Sequence, residues 1–483
     1  MITNDATLLK VKHEVLYEVA KLAYAGRLEE ERDSLPYKMV PGPQPAFRCC
    51  IYREREVIRQ RIRLAEGKAP GAEDDGNIVQ VINSACEGCP ISRYVVTDNC
   101  QKCMGKACQA ACRFGAISMG RDKSYIDPSK CKECGQCAKA CPYNAIADLV
   151  RPCMKSCPVD AISVADNGTG IAVINQDKCI QCGSCVHKCP FGAIGSKTFI
   201  VDIIKKMRSD IKVFAMLAPA TIGQFGADIT MASWRTALKK IGFYDVVDVS
   251  LGADMTAMSE AKEWIEAKEK GEKKTTSCCP AFKNYIEKHF PTLKDAISET
   301  VSPMCAVSRY IKEKFPWAVT VFIGPCIAKK AESMSGEKDT ADYALTYGEI
   351  RAMLRAKGVK LEPEEDTDDQ GSIYGKKFAN AGGVTAAVLE SMKELGCTGD
   401  VSVCKCSGIT ECKKALTLMK VGRLPEDFVE GMVCEGGCVG GPSRHRDPNL
   451  AMRDRNAALA KSSDILIKDN LDKQNAESVD MIR

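Results

Sequence analysis

Between residues 200 and 450 the chain alternates short apolar runs with helical patterns. The runs "IKVFAML", "YDVVDVS", "AVTVFIG" and "FVEGMV" have the composition and length of buried strands. Between them, "DITMASWRTALKKI", "MSEAKEWIEAKEK" and "VTAAVLESMKEL" repeat their apolar residues at helical spacing. This alternation predicts an α/β domain with a mainly parallel sheet, whose ligands gather at the carboxyl ends of the strands. "AVTVFIG" runs into Pro325-Cys326, "FVEGMV" runs into Cys434, and the stretch before Cys278 and Cys279 reads as another short strand. Residues 1–80 follow a different pattern, with candidate helices at about 6–32 and 51–66. The Pro-rich "VPGPQPAF" lies between them, and the charged "GKAPGAEDDGN" after them reads as a linker.

Residues 86–189 follow neither pattern, and here composition changes the picture. The chain has 28 cysteines but only four histidines (His13, His187, His289 and His445). In a long chain with no secretion signal, such density favours metal over disulfides, and thiolates without imidazole favour iron–sulfur clusters over zinc or copper. Cys100, Cys103, Cys108 and Cys112 form CxxCxxxxCxxxC. Cys131, Cys134, Cys137 and Cys141 form CxxCxxCxxxCP, and Cys179, Cys182, Cys185 and Cys189 repeat it. Apolar tails follow ("FGAIS", "YNAIA", "FGAIG"), and the half repeat "CMKSCPVDAIS" carries Cys153 and Cys157.

This is the two-cluster bacterial ferredoxin pattern, twice over. Three cysteines of one run hold a cubane, and the fourth reaches across to the other cubane. The rule groups Cys100, Cys103 and Cys108 with Cys141, then Cys131, Cys134 and Cys137 with Cys112, then Cys179, Cys182 and Cys185 with Cys157. Cys86 and Cys89 of "ACEGCP" remain with Cys153 and Cys189. Counting makes these a fourth 4Fe-4S site; three clusters plus free thiols is the other reading.

Three further segments carry cysteines: "TSCCPAF", "FIGPCIAKKAE" and "GMVCEGGCVGGP". Cys279, Cys326, Cys434 and Cys438 are candidates for one more cubane, and the glycines of the last segment either let a cluster approach the backbone or make a plain tight loop. Adjacent side chains in an extended segment point opposite ways, so Cys278 is left uncommitted beside Cys279. Cys397, Cys404, Cys406 and Cys412 read as buried thiols, with a further metal site the alternative. Cys49 and Cys50 have no assigned chemistry.

Together these three segments resemble the signature loops of the [FeFe] hydrogenases, over roughly residues 200–450 and most like the group B branch. The resemblance implies an H-cluster: a 4Fe-4S cubane held by Cys279, Cys326, Cys434 and Cys438, with Cys438 bridging to a di-iron unit bearing CO, cyanide and a bridging dithiolate amine. It implies that Lys329 donates to one cyanide, and that Pro219 and Ala218 of "LAPAT" flank the other. Met432 is retained beside the di-iron unit. Protons are expected to pass through Cys278, Glu260, Ser298 and Glu263. Departures from the best-known pattern are Gly324 for a methionine, Phe282 for a tryptophan, Ala220 for a serine, and Met304-Cys305 where a glutamine is expected.

The fold expected is a multidomain α+β and α/β chain. It has an N-terminal helical segment with linker (1–80), tandem ferredoxin-like domains with four 4Fe-4S clusters (81–198), an α/β H-cluster domain (199–450) and a C-terminal helical tail (451–483). The function implied is reversible conversion of 2H+ and 2e- to H2, with electrons entering through the accessory clusters and the Cys179 cluster nearest the active site. A net charge of +5 suits an acidic carrier such as ferredoxin, and maturation proteins would deliver the di-iron unit. No glycine-rich dinucleotide fingerprint, basic–aromatic alternation, signal peptide or apolar run of about 20 residues occurs. These absences make a cytoplasmic protein without nucleic acid or membrane the expectation. An H2-sensing hydrogenase or a hydrogenase-like iron–sulfur assembly protein are the alternatives. Cys278 argues against the first, and Lys329 with Cys278 against the second.

Overall fold

The computed structural model describes residues 7–48, 50–71, 73–86, 89, 92–365, 370–397, 399–462 and 465–483. Cys49 lies outside them.

The first helix spans Leu8–Ala25. Thr7 caps its start by accepting the Lys10 N–H, and Gly26 ends it with φ +74°, a left-handed conformation that glycine adopts without penalty. The continuous helix expected over 6–32 is therefore broken at Gly26, and a separate turn follows at Leu28–Glu31. The second helix, Ile51–Ala65, begins beside the Pro-rich loop. The buried Glu54 ties that loop down, accepting backbone N–H groups of Ala46, Phe47 and Arg48. Val11, Val15, Val19, Ile58 and Ile62 share one apolar core with Ile200, Val213, Leu217 and Ile350. The N-terminal helices are thus packed onto the catalytic half, and Arg355 pairs with Glu14 at 2.6 Å across that junction.

Each apolar tail in the cysteine-rich region becomes a three-residue strand: Ile117–Met119, Ile146–Asp148, Ile162–Val164 and Ile194–Ser196. They pair antiparallel with Ser124–Ile126, Tyr94–Val96, Ala172–Ile174 and Val79–Val81 respectively. Strands this short do not hold a core by themselves, and the cysteine loops between them carry the remaining order.

The expected parallel sheet is present, divided in two. One sheet runs in the order Asp245–Asp248, Val213–Leu217, Val319–Ile323, Tyr343–Leu345, and the other in the order Lys274–Thr275, Phe428–Met432, Val403–Ser407. All their pairings are parallel. The helix Val249–Lys270 is longer than its "MSEAKEWIEAKEK" segment, because Asp248 caps it directly at the end of a strand. The C-terminal helices Pro448–Leu459 and Ile467–Gln474 pack back onto this half through Ala451, Ile467 and Leu471. None of the helices among the described residues is long and apolar enough to cross a membrane.

Candidate active site and cluster loops

Four loops leave the carboxyl ends of strands from both sheets and meet at one buried cavity. Ala218 and Pro219 follow Val213–Leu217, Cys278 and Cys279 follow Lys274–Thr275, Cys326 follows Val319–Ile323, and Cys434 follows Phe428–Met432. Cys438, Met432, Lys329 and Ala220 complete the polar and apolar lining that the sequence singled out. Gly437 has φ +83°, and a Cβ there would lie 2.5 Å from the Ala379 carbonyl oxygen. That close approach brings the Cys438 N–H to the same oxygen at 2.8 Å, so glycine in this loop fixes where Cys438 stands.

The donor set fits an iron–sulfur cubane. Burial and the neighbouring thiols push Cys326 up to about 11 and Cys438 up to about 12, and raise Cys434 well above its ordinary value. Crowding buried thiols together is unfavourable unless a cation takes them as thiolates. Little else in the cavity is polar, which suits ligands that must be shielded from water.

Lys329 is buried, and its ammonium donates to Ser302 Oγ at 2.7 Å and Glu332 Oε2 at 2.6 Å. Burial works against its charge, but Glu332 and Cys305 outweigh that and its pKa is raised. An ammonium has three donors, so one remains for an anionic ligand in the cavity. Lys329→Met is expected to leave Glu332 as a buried, unpaired charge and to lower stability by about 3–5 kcal/mol. Urea unfolding checks this, and adding Glu332→Gln to the same chain should recover most of the loss.

Cys278 is buried and lines the cavity beside Cys279. Burial, then Glu260, raises its pKa, keeping it a neutral thiol that carries a proton. Glu260 is wholly buried; its Oε1 accepts the Ser277 N–H at 3.4 Å, and its Oε2 has no partner. Burial and then Glu263 push its carboxyl up to about 8. Ser298 Oγ donates to Glu263 Oε2 at 2.5 Å, and Glu263 faces Lys274 near the surface at 3.6 Å. The four residues expected to move protons thus form one file from cavity to surface.

The departures from the family pattern do not all reach the cavity. Met304 lines it, whereas Cys305 sits behind it, in contact with Thr340 Oγ1 at 3.0 Å and Ser302 Oγ at 3.6 Å. Phe282 turns away into a separate core, where a Cβ on Gly431 would lie 2.2 Å from its ring. Its place beside the di-iron unit is therefore corrected. Cys404 and Cys406 lie 3.9 Å apart and share that core with Cys412, but Cys397 packs in another, so the four do not form one site.

Three residues had no reading in the sequence. Arg455 is fully buried and donates to the Pro219 and Lys376 carbonyls and to Asn380 Oδ1 at 2.9 Å, holding the cavity loop from behind. Its signal was its place between Ala451 and Leu459, on the apolar stripe of its helix. Gln224 bonds the Val439 carbonyl at 3.1 Å, and Glu430 accepts from Gly382 and Thr385 N–H groups at 2.8 and 3.0 Å.

The cluster loops repeat one another in detail. One cavity is lined by Cys100, Cys103, Cys108 and Cys141, and another by Cys112, Cys131, Cys134 and Cys137. Cys185 lies within electrostatic reach of Cys182, Cys179 and Cys157, and Cys153 within reach of Cys189, Cys89 and Cys86. The last cysteine of every run accepts an N–H from the alanine four residues on: Cys112 and Cys141 at 3.4 Å, Cys157 and Cys189 at 3.2 Å. Lys102, Glu133 and Gln181 occupy the same place in three CxxC loops, and all have positive φ. Glu133 and Gln181 there turn their N–H groups onto Cys131 and Cys179, each at 3.4 Å. Such N–H···S bonds favour the thiolate and tune cluster potential. Cys182 also lines the active-site cavity, so its loop is the cluster loop that meets it.

Comparison with known proteins agrees with this geometry. Residues 211–442 match the family model "Iron only hydrogenase large subunit, C-terminal domain". Residues 124–147 match a 4Fe-4S binding domain, and 151–193 a 4Fe-4S dicluster domain. Iron hydrogenase 1 of Clostridium pasteurianum is 30% identical over 385 residues, covering 68% of this chain and 66% of that one. The periplasmic [Fe] hydrogenase large subunit of Nitratidesulfovibrio vulgaris is 28% identical over 305 residues, covering 51% of this chain and 72% of that one. The chain thus spans just under two thirds of the Clostridium protein. A solved apo [FeFe]-hydrogenase, HydA1 from Chlamydomonas reinhardtii, superposes with a TM-score of 0.47 at 22% identity, covering 56% of this chain and 92% of that one. With its ferredoxin-type cluster loops leading to an iron-only hydrogenase large-subunit domain, the chain belongs to the [FeFe] hydrogenase family.

Proposed function

We propose that the protein catalyses reversible reduction of protons to H2 at an H-cluster held by Cys279, Cys326, Cys434 and Cys438. The observation that carries this is the meeting of these four cysteines with Cys278 and Lys329 around one buried, apolar cavity. When bound, the di-iron unit supplies the metal and amine chemistry. The chain's residues anchor it, shield it from water, and move protons between its surroundings and solvent.

Cys278 holds a proton at Sγ next to the cavity. Glu260 has a buried carboxyl near neutral pKa, which suits a group that must gain and lose a proton in turn. Ser298 passes the proton to Glu263 through the 2.5 Å hydrogen bond, and Glu263 exchanges with water. Lys329 and the Ala218-Pro219 backbone hold the two cyanide ends. Electrons reach the site through four accessory 4Fe-4S clusters, the last held by Cys179, Cys182, Cys185 and Cys157. We assign the chain to the group B branch, with ferredoxin as electron carrier in the cytoplasm and the division at 1–80, 81–198, 199–450 and 451–483.

The test is H2 evolution from reduced methyl viologen after anaerobic maturation. Turnover is expected, and spectroscopically intact sites with negligible turnover would favour an H2 sensor. Glu260 gives a second, independent readout. An unfolded carboxyl titrates near 4.5, whereas Glu260 in the fold does so at about 8. Between those values the native chain keeps a proton that the unfolded chain has released, so this group makes stability fall as pH rises across that window. Glu260→Gln is expected to flatten the fall by up to about 1.4 kcal/mol per pH unit. Urea midpoints of variant and wild type from pH 5 to 8 check it.

A further inference from the structure

A second cavity, of about 730 Å³, lies between the N-terminal helix Leu8–Ala25, the Val186–Pro190 segment, the start of the helix Tyr347–Ala356, and the loop 442–447 that follows Cys438. Its lining carries six cations: Lys12, Arg61, Lys188, Arg351, Arg444 and Arg446. His13, His187 and His445, three of the chain's four histidines, face it as well. Only two acidic side chains line it, and both are committed. Glu349 is held by Lys330 and the Thr346 N–H, and Asp447 caps its own helix through the Asn449 and Leu450 N–H groups.

The cations are correspondingly short of anionic partners. Arg446 pairs with Asp454 outside the cavity. Arg351 meets the His445 ring at 3.3 Å, and Arg444 meets the His187 ring at 3.1 Å. Arg61 is 93% buried; its Nη2 donates to the Gly192 carbonyl at 2.8 Å, while its Nε has no partner at all. Burial, with Arg351 and Arg446, holds His445 down at about 4, as expected in a positive field that no anion answers. A cluster anchored at Cys189 would balance Arg61 and Lys12, but not Arg351, Arg444 and His445 on the side built by 346–351 and 442–447. The amino end of the ten-residue helix Tyr347–Ala356 adds its dipole to the same space.

We infer that this cavity binds a small anion bearing a di- or triphosphate group. Guanidinium forks match phosphate oxygens in pairs, and a buried guanidinium with an open Nε is a donor waiting for one. The volume lies in the range that takes a whole nucleotide, and Leu8, Leu16, Leu64 and Val186 offer an apolar floor for its uncharged part. The inference stands apart from the hydrogenase reading, since it uses none of the active-site residues.

The test is calorimetric titration of the full, cluster-loaded chain with sodium pyrophosphate, ATP and adenosine. Saturable binding of pyrophosphate and ATP is expected, weakened at least tenfold in Arg61→Gln and in the more exposed Arg351→Gln, while Lys239→Gln on a remote helix has no effect. ATP binding tighter than pyrophosphate identifies a nucleotide, and equal binding identifies the inorganic anion; both support the site. Absence of binding at millimolar concentration, adenosine binding as well as ATP, or full affinity in Arg351→Gln would overturn it.

Discussion

Cys278→Ala is expected to lower H2 turnover by about 10²- to 10⁴-fold, the usual contribution of a positioned acid–base group, while iron content and infrared bands stay as in the wild type. The side chain lines the cavity, and its neighbour Cys279 is the one assigned to iron. Removing the thiol therefore costs a proton carrier without a cluster ligand. The next carrier, Glu260, is wholly buried, so no nearby water-exposed acid replaces the lost thiol. Unchanged turnover would mean that protons leave by the cavity's other polar side. There Lys329 meets Glu332, and Cys305 contacts Thr340 and approaches Glu337 at 4.0 Å.

Cys438→Ala should have the other large effect: loss of turnover, of the CO and cyanide bands, and of iron. Cys438 is held in register by the Ala379 carbonyl and by a loop that only glycine can form at Gly437, so no other thiol can move into its place. Cys406→Ala is the matched control. Cys406 is equally buried but sits in another core with Cys404 and Cys412, and its loss should lower stability modestly and leave iron content unchanged.

Spacing made the cluster loops legible, because a cubane demands thiolates at fixed offsets. Grouping by the crossing rule gives the same sets that line the two outer cluster cavities. Strand runs in the catalytic half were legible for a related reason: fully buried strands such as Val213–Leu217 and Phe428–Met432 read as continuous apolar segments. Tyr343–Leu345 and Val403–Ser407 escaped notice, the first for its three-residue length and the second for its "VCKCS" composition. The break at Gly26 was written in the sequence as a helix stop and passed over because polar helical residues continue beyond it.

Tertiary contacts were the illegible part. Nothing local says that Arg455, some 236 residues from Pro219, holds that residue's carbonyl. Phe282 was assigned from its place in a motif, but its direction is set by the space that Gly431 leaves on a neighbouring strand. The cationic cavity likewise gathers residues from four distant segments, each unremarkable in its own stretch.

The most direct measurement is infrared spectroscopy of the anaerobically matured wild-type protein, with H2 evolution followed in the same sample. Cyanide and CO stretching bands together with turnover are the predicted result. No such bands after maturation that succeeds on a control hydrogenase would contradict the account, leaving a many-cluster electron-transfer or assembly protein in its place.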